Sequence, residues 1–388
     1  MEPLALYITF TNFFTSFFKS YFKPLIPFFM EYFNVDEPRI FVMMASILTL
    51  ISSFSQIFFG YIADKSEKKL KFLYLSVIVT MVPIIFLGYV KSTLLLFVIF
   101  LIGYMGSAAQ EPLGAGISGT IGKEKSTTLA IYMVGGTFGY ALGPIFITYF
   151  VTHYNLKNAT YIGLIGIIIY TILFYFAYNY FKTHKTLRPK NKRIRFFESF
   201  KGFKYIAPIW FLTIHRAFIS IMFRSYVPIK SRMLGYDLTV GGLLVTLGFL
   251  AGTFSNLLGA KLEEKTSVRF VNMIYFSAFS ILVFLFATSK NIWILSISYI
   301  LADAFMFLTM SVNVHYAQQL LPDNKSFASG ALMGFTRAVG NVLITIYTFF
   351  FGNNVPFILN SLWIFGIVGI ILTLILIKPQ IKNRADHI

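Results

Sequence analysis

Apolar runs about twenty residues long return along the whole of this chain, divided by short polar loops, and nothing else limits its fold as severely. A hydrocarbon core about 30 Å thick takes roughly 20 apolar residues per helix. Runs of that kind lie at approximately 4–30, 39–64, 71–90, 93–120, 125–153, 159–181, 205–230, 239–263, 268–288, 291–320, 325–352 and 355–377. They predict an all-α membrane protein with twelve transmembrane helices. Barrel strands would be about ten residues long and would alternate apolar with polar positions, whereas these runs are continuously apolar. With 57% hydrophobic and 12% charged residues over 388 positions, a water-soluble chain is excluded. The 46 phenylalanines read as lipid-facing bulk. The first run has no basic n-region and is too long for a signal sequence, so it is expected to stay in the mature protein. Without cysteine there is no disulfide framework, zinc cluster or redox pair to read.

Basic residues set the expected orientation, because the cytoplasmic loops of membrane proteins gather Lys and Arg. With both termini cytoplasmic, the inner loops and tail hold 22 of the 33 basic residues, the outer loops hold six, and five lie inside spans. The net charge of +18 is thus largely an orientation signal, and no nucleic-acid partner is expected. The longest inner loop, 182–204, divides an N-terminal six-helix bundle, 1–181, from a C-terminal six-helix bundle with a short tail, 205–388. These halves repeat one another. FKSY at 18 matches FRSY at 223, GYIADK at 60 matches GAKLEEK at 259, and KEKSTTLA at 123 matches DNKSFASG at 323, with offsets of 205, 199 and 200. Six spans return the chain to its starting side, so the halves are parallel repeats, an arrangement of alternating-access transporters.

The loop after the second span, GYIADKSEKKLKF, resembles the signature of the major facilitator superfamily at that place. Gly60 is followed four residues on by Asp64 and then by the basic cluster Lys65, Lys68 and Lys69, with Glu67 where the family has glycine. The resemblance extends over the whole chain. Within the superfamily, GSAAQEPLGAG, VGGTFGYALGP, GGLLVTLGFLAG and YAQQLLPDNKSFASGALMGF are similar to stretches of the fosmidomycin-resistance group of drug exporters. This resemblance implies a two-bundle transporter of the major facilitator fold in the cytoplasmic (inner) membrane. It also implies that Asp64 holds an inner gate shut by facing the positive end of the eleventh helix. Glu263 repeats that position in the second half, with plain surface solvation as the simpler account.

Gly135, Gly139 and Gly143 stand at intervals of four in the fifth span, and Pro144 follows them. Small residues at that spacing let helix backbones approach closely in lipid, while proline interrupts the hydrogen-bond ladder and permits a bend. They predict a sliding face between the halves or, more simply, an ordinary close helix contact. A Gly and Pro motif in the fifth span also resembles the superfamily's antiporter signature, which favours export over import.

Each charged group inside a span costs roughly 2.5 to 3.5 kcal/mol on insertion scales and persists when it is paired, hydrated or useful. Helical spacing sets most of them on polar stripes: Asn12, Ser16, Lys19 and Lys23 in the first span, Arg216, Ser220 and Arg224 in the seventh, and Gly330, Gly334, Arg337 and Asn341 in the eleventh. Lys23 and Arg224, near the outer ends, fit snorkelling equally well. Lys19, Arg216 and Arg337 lie deeper, and with Asn12 and Arg224 they predict a central cavity that binds the anionic group of a small substrate. Glu111 and Asp303, in the fourth and tenth spans, oppose them as proton carriers or as members of static ion pairs. A carboxyl group that alternates between dry and wet surroundings takes up and releases a proton, which coupling to a proton gradient requires. Met306 and Met310 share the face of Asp303 as core packing or as a deformable pocket wall.

Enzyme motifs fail. GTIGKEK lacks the spacing of a phosphate-binding loop and has Glu124 where Ser or Thr must hold magnesium, so ATP is not the expected energy source. His215 and His315 lie on separate spans without metal-ligand spacing, and neither metal nor cofactor is expected. The reading that results is a monomeric secondary transporter, not an enzyme, that exchanges protons for a small anionic compound such as a fosmidomycin-like phosphonate. Proton symport that imports an organic anion or sugar is the alternative, and a non-transporting membrane sensor or scaffold is a third reading.

Overall fold

A computed structural model describes residues 3–35, 39–121, 125–184, 196–236, 238–351 and 354–378. The first seven helices are α1 (Pro3–Lys19), α2 (Ile26–Phe33), α3 (Arg39–Lys65), α4 (Lys69–Phe86), α5 (Thr93–Ser118), α6 (Lys125–Tyr154) and α7 (Ala159–His184). They are followed by α8 (Phe196–Met233), α9 (Leu238–Lys265), α10 (Val268–Thr288), α11 (Ile292–Leu308), α12 (Met310–Leu320), α13 (Lys325–Gly330), α14 (Thr336–Phe351) and α15 (Val355–Leu376). Among the described residues, eleven helical stretches are long and apolar enough to cross a membrane. The first run adds α1, whose 17 residues rise about 1.5 Å each.

Three of the expected spans are interrupted, each for a local reason. The run at 4–30 turns over 20–25, where Pro24 has no N–H to continue the ladder and Pro27 fits the first turn of α2. Lys23 is exposed in that turn and so leaves the stripe it was expected to share with Lys19. The run at 291–320 breaks at the buried Thr309, between α11 and α12. Side chains take over the hydrogen bonds there: Asn256 Oδ1 accepts from Ser311 N at 3.1 Å, and Arg216 Nη1 donates to Met306 O at 3.2 Å. The run at 325–352 passes from α13 through a π-helical turn, Ala331–Phe335, into α14. In addition, α7 and α8 both reach into the stretch read as the linker, of which residues 185–195 lie outside the described ones.

Two compact units make up the chain: Met1–Lys201 with Leu321–Phe335, and Gly202–Leu320 with Thr336–Ile388. In the first, α1 packs on α6, α5 lies against α3 and α4, and α13 docks on α3 and α5. In the second, α9 packs on α11, and α10 packs on α11 and α15. The glycine stripe belongs to the interior of the first unit. A Cβ on Gly135 would collide with the carbonyl of Thr9, one on Gly139 with that of Phe13, and one on Gly143 with the Phe17 carbonyl and the Ser20 hydroxyl. Those glycines therefore seat α6 directly on the backbone of α1, and the sliding face expected between the halves gives way to a close internal contact. Pro144 does not break its helix, since α6 continues to Tyr154. Nor do all the phenylalanines face lipid: Phe22, Phe29 and Phe41 in the first unit and Phe223, Phe276 and Phe279 in the second are fully buried. In lipid such rings contribute packing rather than hydrophobic transfer.

Candidate functional site

Each unit holds an intramembrane cation bonded to a carboxylate. In the first unit Lys19 closes the last turn of α1, and its Nζ lies 2.6 Å from Glu111 Oε1 on α5. Gln56 on α3, fully buried, donates from Nε2 to the other carboxylate oxygen, Oε2, at 2.7 Å. The Lys19 ammonium stands 5.8 Å from the centre of the Tyr104 ring. Tyr132 on α6 donates its hydroxyl to the main-chain oxygen of Glu111 at 3.0 Å and accepts from Gln110 at 3.3 Å. A buried amide needs its own hydrogen bonds, and Asn12 finds one by donating to Tyr132 O at 2.8 Å. With 5% of its surface exposed, Asn12 ties α1 to α6.

The second unit repeats this pair. Arg224 Nε on α8 lies 2.6 Å from Asp303 Oδ1 on α11, and its guanidinium rests 4.6 Å from the Phe249 ring centre and 5.0 Å from that of Phe307. Lys19 and Arg224 hold the matching place in FKSY and FRSY, and each reaches the acidic residue of the fourth span in its own half. Arg224 is thus an ion-pair partner and not a snorkelling residue. Asp303 is wholly buried, and its Oδ2 packs against Gly248, where a Cβ would displace it. Breaking a buried pair by removing one partner costs about 3–5 kcal/mol.

Two turns before Arg224, Arg216 makes the hydrogen bond to Met306 O at the helix break, while its Nε is buried with no hydrogen-bond partner. Arg224, Arg337 and Tyr275 all lie within electrostatic reach of it. Arg337 stands in the first turn of α14, directly after the π-helical turn, and Gly340 one turn on packs against Ala217 of α8. Two further arginines therefore lie near Arg216 in this unit, and one of them, Arg224, is paired with Asp303. Met306 is buried, whereas Met310 lies beyond the break at Thr309, so the two do not continue one helical face past Asp303.

Asp64, in the last turn of α3, accepts from Ser326 N at 3.0 Å and Phe327 N at 2.8 Å. These are opening amides of α13, groups that a helix leaves without internal partners. One turn earlier Gly60 admits the main chain of Ser326, and Lys325 donates to Gly119 O at 2.7 Å. Lys65 lies over the Tyr61 ring at 4.4 Å, and Lys65 and Lys68 are exposed. Glu263 departs from the surface position expected for it: it is 2% exposed, with Oε2 3.3 Å from His315 Nδ1. His215 is hydrogen-bonded to Phe365 O at 2.7 Å.

A sequence model of the Major Facilitator Superfamily matches residues 8–345. No curated protein matches the sequence. Among solved structures, a bacterial homologue of the iron transporter ferroportin, in its outward-facing state, is similar with a TM-score of 0.74 at 12% identity, over 95% of this chain and 98% of that one. FucP, a Major Facilitator Superfamily transporter in the outward conformation, has a TM-score of 0.74 at 12% identity, over 96% of this chain and 98% of that one. Identity at this level speaks for the fold alone.

Proposed function

Because the chain belongs to the Major Facilitator Superfamily, a family of secondary transporters, we propose that it exports a small anionic compound in exchange for protons by alternating access. Arg216 is the observation that carries the anion. Its guanidinium sits in a span, near two further arginines, and spends one nitrogen on a main-chain carbonyl while its Nε is left unbonded. A phosphonate or carboxylate offers a guanidinium two acceptors at once, a geometry that suits arginine and not lysine. Arg337 adds to the positive field, and Arg224 is committed to Asp303. Lys19 is likewise committed, so its part lies with the proton rather than the substrate. A proton taken up by Glu111 removes the charge that holds Lys19, and loss of that proton restores it. Asp64, which holds the amides of α13, is the latch of the cytoplasmic side in this reading. A fosmidomycin-like phosphonate is the first compound to try, on the strength of the subgroup resemblance.

The energy source tests this function in whole cells. Export is expected to collapse when a protonophore dissipates the gradient and to persist under ATP depletion while the gradient is maintained. Export that follows ATP and ignores the protonophore would sink the proposal.

A further inference from the structure

Gln56 touches both the buried carboxylate and the segment of the second half that docks in the first unit. We propose that Gln56 is the positioning residue that passes the protonation state of Glu111 to Leu321–Phe335, resting as this does on the reading of Glu111 as the proton carrier.

One stripe of α3 makes the connection. Ser52, Gln56, Gly60 and Asp64 recur every four residues and so lie on one face of the helix. Ser52 Oγ donates to Tyr104 O at 3.1 Å, and Gln56 Nε2 donates to Glu111 Oε2 at 2.7 Å. Further along, Gly60 admits the main chain of Ser326 and Asp64 binds the amides of Ser326 and Phe327. Gln56 belongs to both ends of this stripe. Gly330 lies against its carbonyl and Gly334 against its side chain, each too close for any Cβ. Gly334 is part of the π-helical turn, an irregularity that gathers at functional sites.

The chemistry of the amide makes Gln56 sensitive to a proton. An ionised carboxylate only accepts hydrogen bonds, so it takes the Gln56 N–H; a protonated carboxyl also carries an O–H that must be accepted. Gln56 Oε1 is buried without a hydrogen-bond partner and lies against Gly334. Half a turn of the amide brings Oε1 to the new O–H and sends the N–H group to the place where Gly334 now packs. The turn exchanges an unbonded acceptor beside Gly334 for an unbonded donor, and a buried N–H is left unpaired less readily than a C=O, a difference that the segment relieves by moving off α3. The charged and titratable neighbours are distributed so that this amide is the link to the segment. Lys19 of α1 faces Oε1 of Glu111, Tyr132 of α6 binds its main-chain oxygen, and Tyr104 of α5 lies beside Lys19. On the segment itself Lys325 is bound to Gly119 O, and Asp64 holds the opening amides.

Ala328, fully buried on α13, supplies the readout, because the chain has no cysteine of its own. In the full-length protein carrying Ala328→Cys, labelling by a small permeant maleimide is followed from alkaline to mildly acidic pH, each value normalised to denatured protein at the same pH. Acidification is expected to raise labelling by roughly tenfold, on the scale of a two-state shift. Glu111→Gln is expected to give the high level at every pH, and Gln56→Met, which keeps the length and removes the amide, to give one level at every pH. Should Gln56→Met not reach the membrane, Gln56→Asn, an amide too short to span both contacts, carries the same expectation. A Gln56 variant with the parent's pH profile would overturn the relay, and so would a parent protein that shows no profile. If Glu111→Gln itself keeps the profile, the reading of Glu111 as proton carrier fails as well, which tells the two failures apart.

Discussion

Glu111→Gln is expected to abolish proton-driven accumulation of substrate while exchange of substrate for substrate continues. Glutamine, like the protonated carboxyl, offers the Gln56 amide a donor as well as an acceptor, but it carries no exchangeable charge, so no proton can be loaded. The same change strands Lys19, whose side chain is 12% exposed, and an ion left buried without its partner costs about 3–5 kcal/mol. Loss of coupling and loss of stability would then arrive together. The double variant Lys19→Met with Glu111→Gln separates them, because replacing a whole buried pair with groups of similar volume is close to neutral. Its thermal midpoint in detergent is expected to recover, and its accumulation ratio is expected to remain at one. Uphill transport by the double variant at the parent's level would remove Glu111 from the coupling role.

Arg216→Lys is expected to weaken binding of a phosphonate by roughly 10- to 100-fold, the loss of one charge-assisted hydrogen bond worth about 1.5–3 kcal/mol. Lysine keeps the charge and can still reach a carbonyl such as that of Met306, but it has no planar fork. An uncharged analogue of the same size is therefore expected to bind both forms alike. Binding of the anion and of the analogue is compared by thermal shift or by tritiated ligand in detergent. Equal losses for both would make Arg216 a brace for the break between α11 and α12 and leave the anion without its ligand.

Much of this architecture is legible in the sequence, and the parts that are not share a physical cause. Spans announce themselves because lipid demands long apolar helices, and Pro24 and Pro27 mark the first interruption in plain view. The break at Thr309 has no such mark. It is held by Asn256 and Arg216, residues 55 and 90 positions away from their partners, so it belongs to tertiary structure. Spacing shows that Gly135, Gly139 and Gly143 want a close neighbour, yet spacing is silent on whether that neighbour is α1 or the other half.

The repeat aligns Lys19 with Arg224 but does not reveal that each pairs with a carboxylate, since the partners are 92 and 79 residues away. Arg224 reads as a snorkelling residue from depth alone, and only its contact with the wholly buried Asp303 decides otherwise. Glu263 misleads for the same reason, because His315 comes to it from another helix. Gln56 is the instructive omission. A lone amide in an apolar run, four residues from both Ser52 and Gly60, is a signal of the same kind that singles out Glu111, and the amino-acid sequence displays it openly.

Proton-coupled export of an anion is tested most directly by the direction of flux in oriented vesicles. Inverted and right-side-out membrane vesicles carrying the protein are placed under an imposed pH gradient and given a labelled phosphonate. Inverted vesicles with an acid interior are expected to accumulate it above its outside concentration, and a protonophore is expected to release it. Accumulation instead by right-side-out vesicles in an acid medium, with none in the inverted ones, would mean proton-driven import and would contradict the exporter.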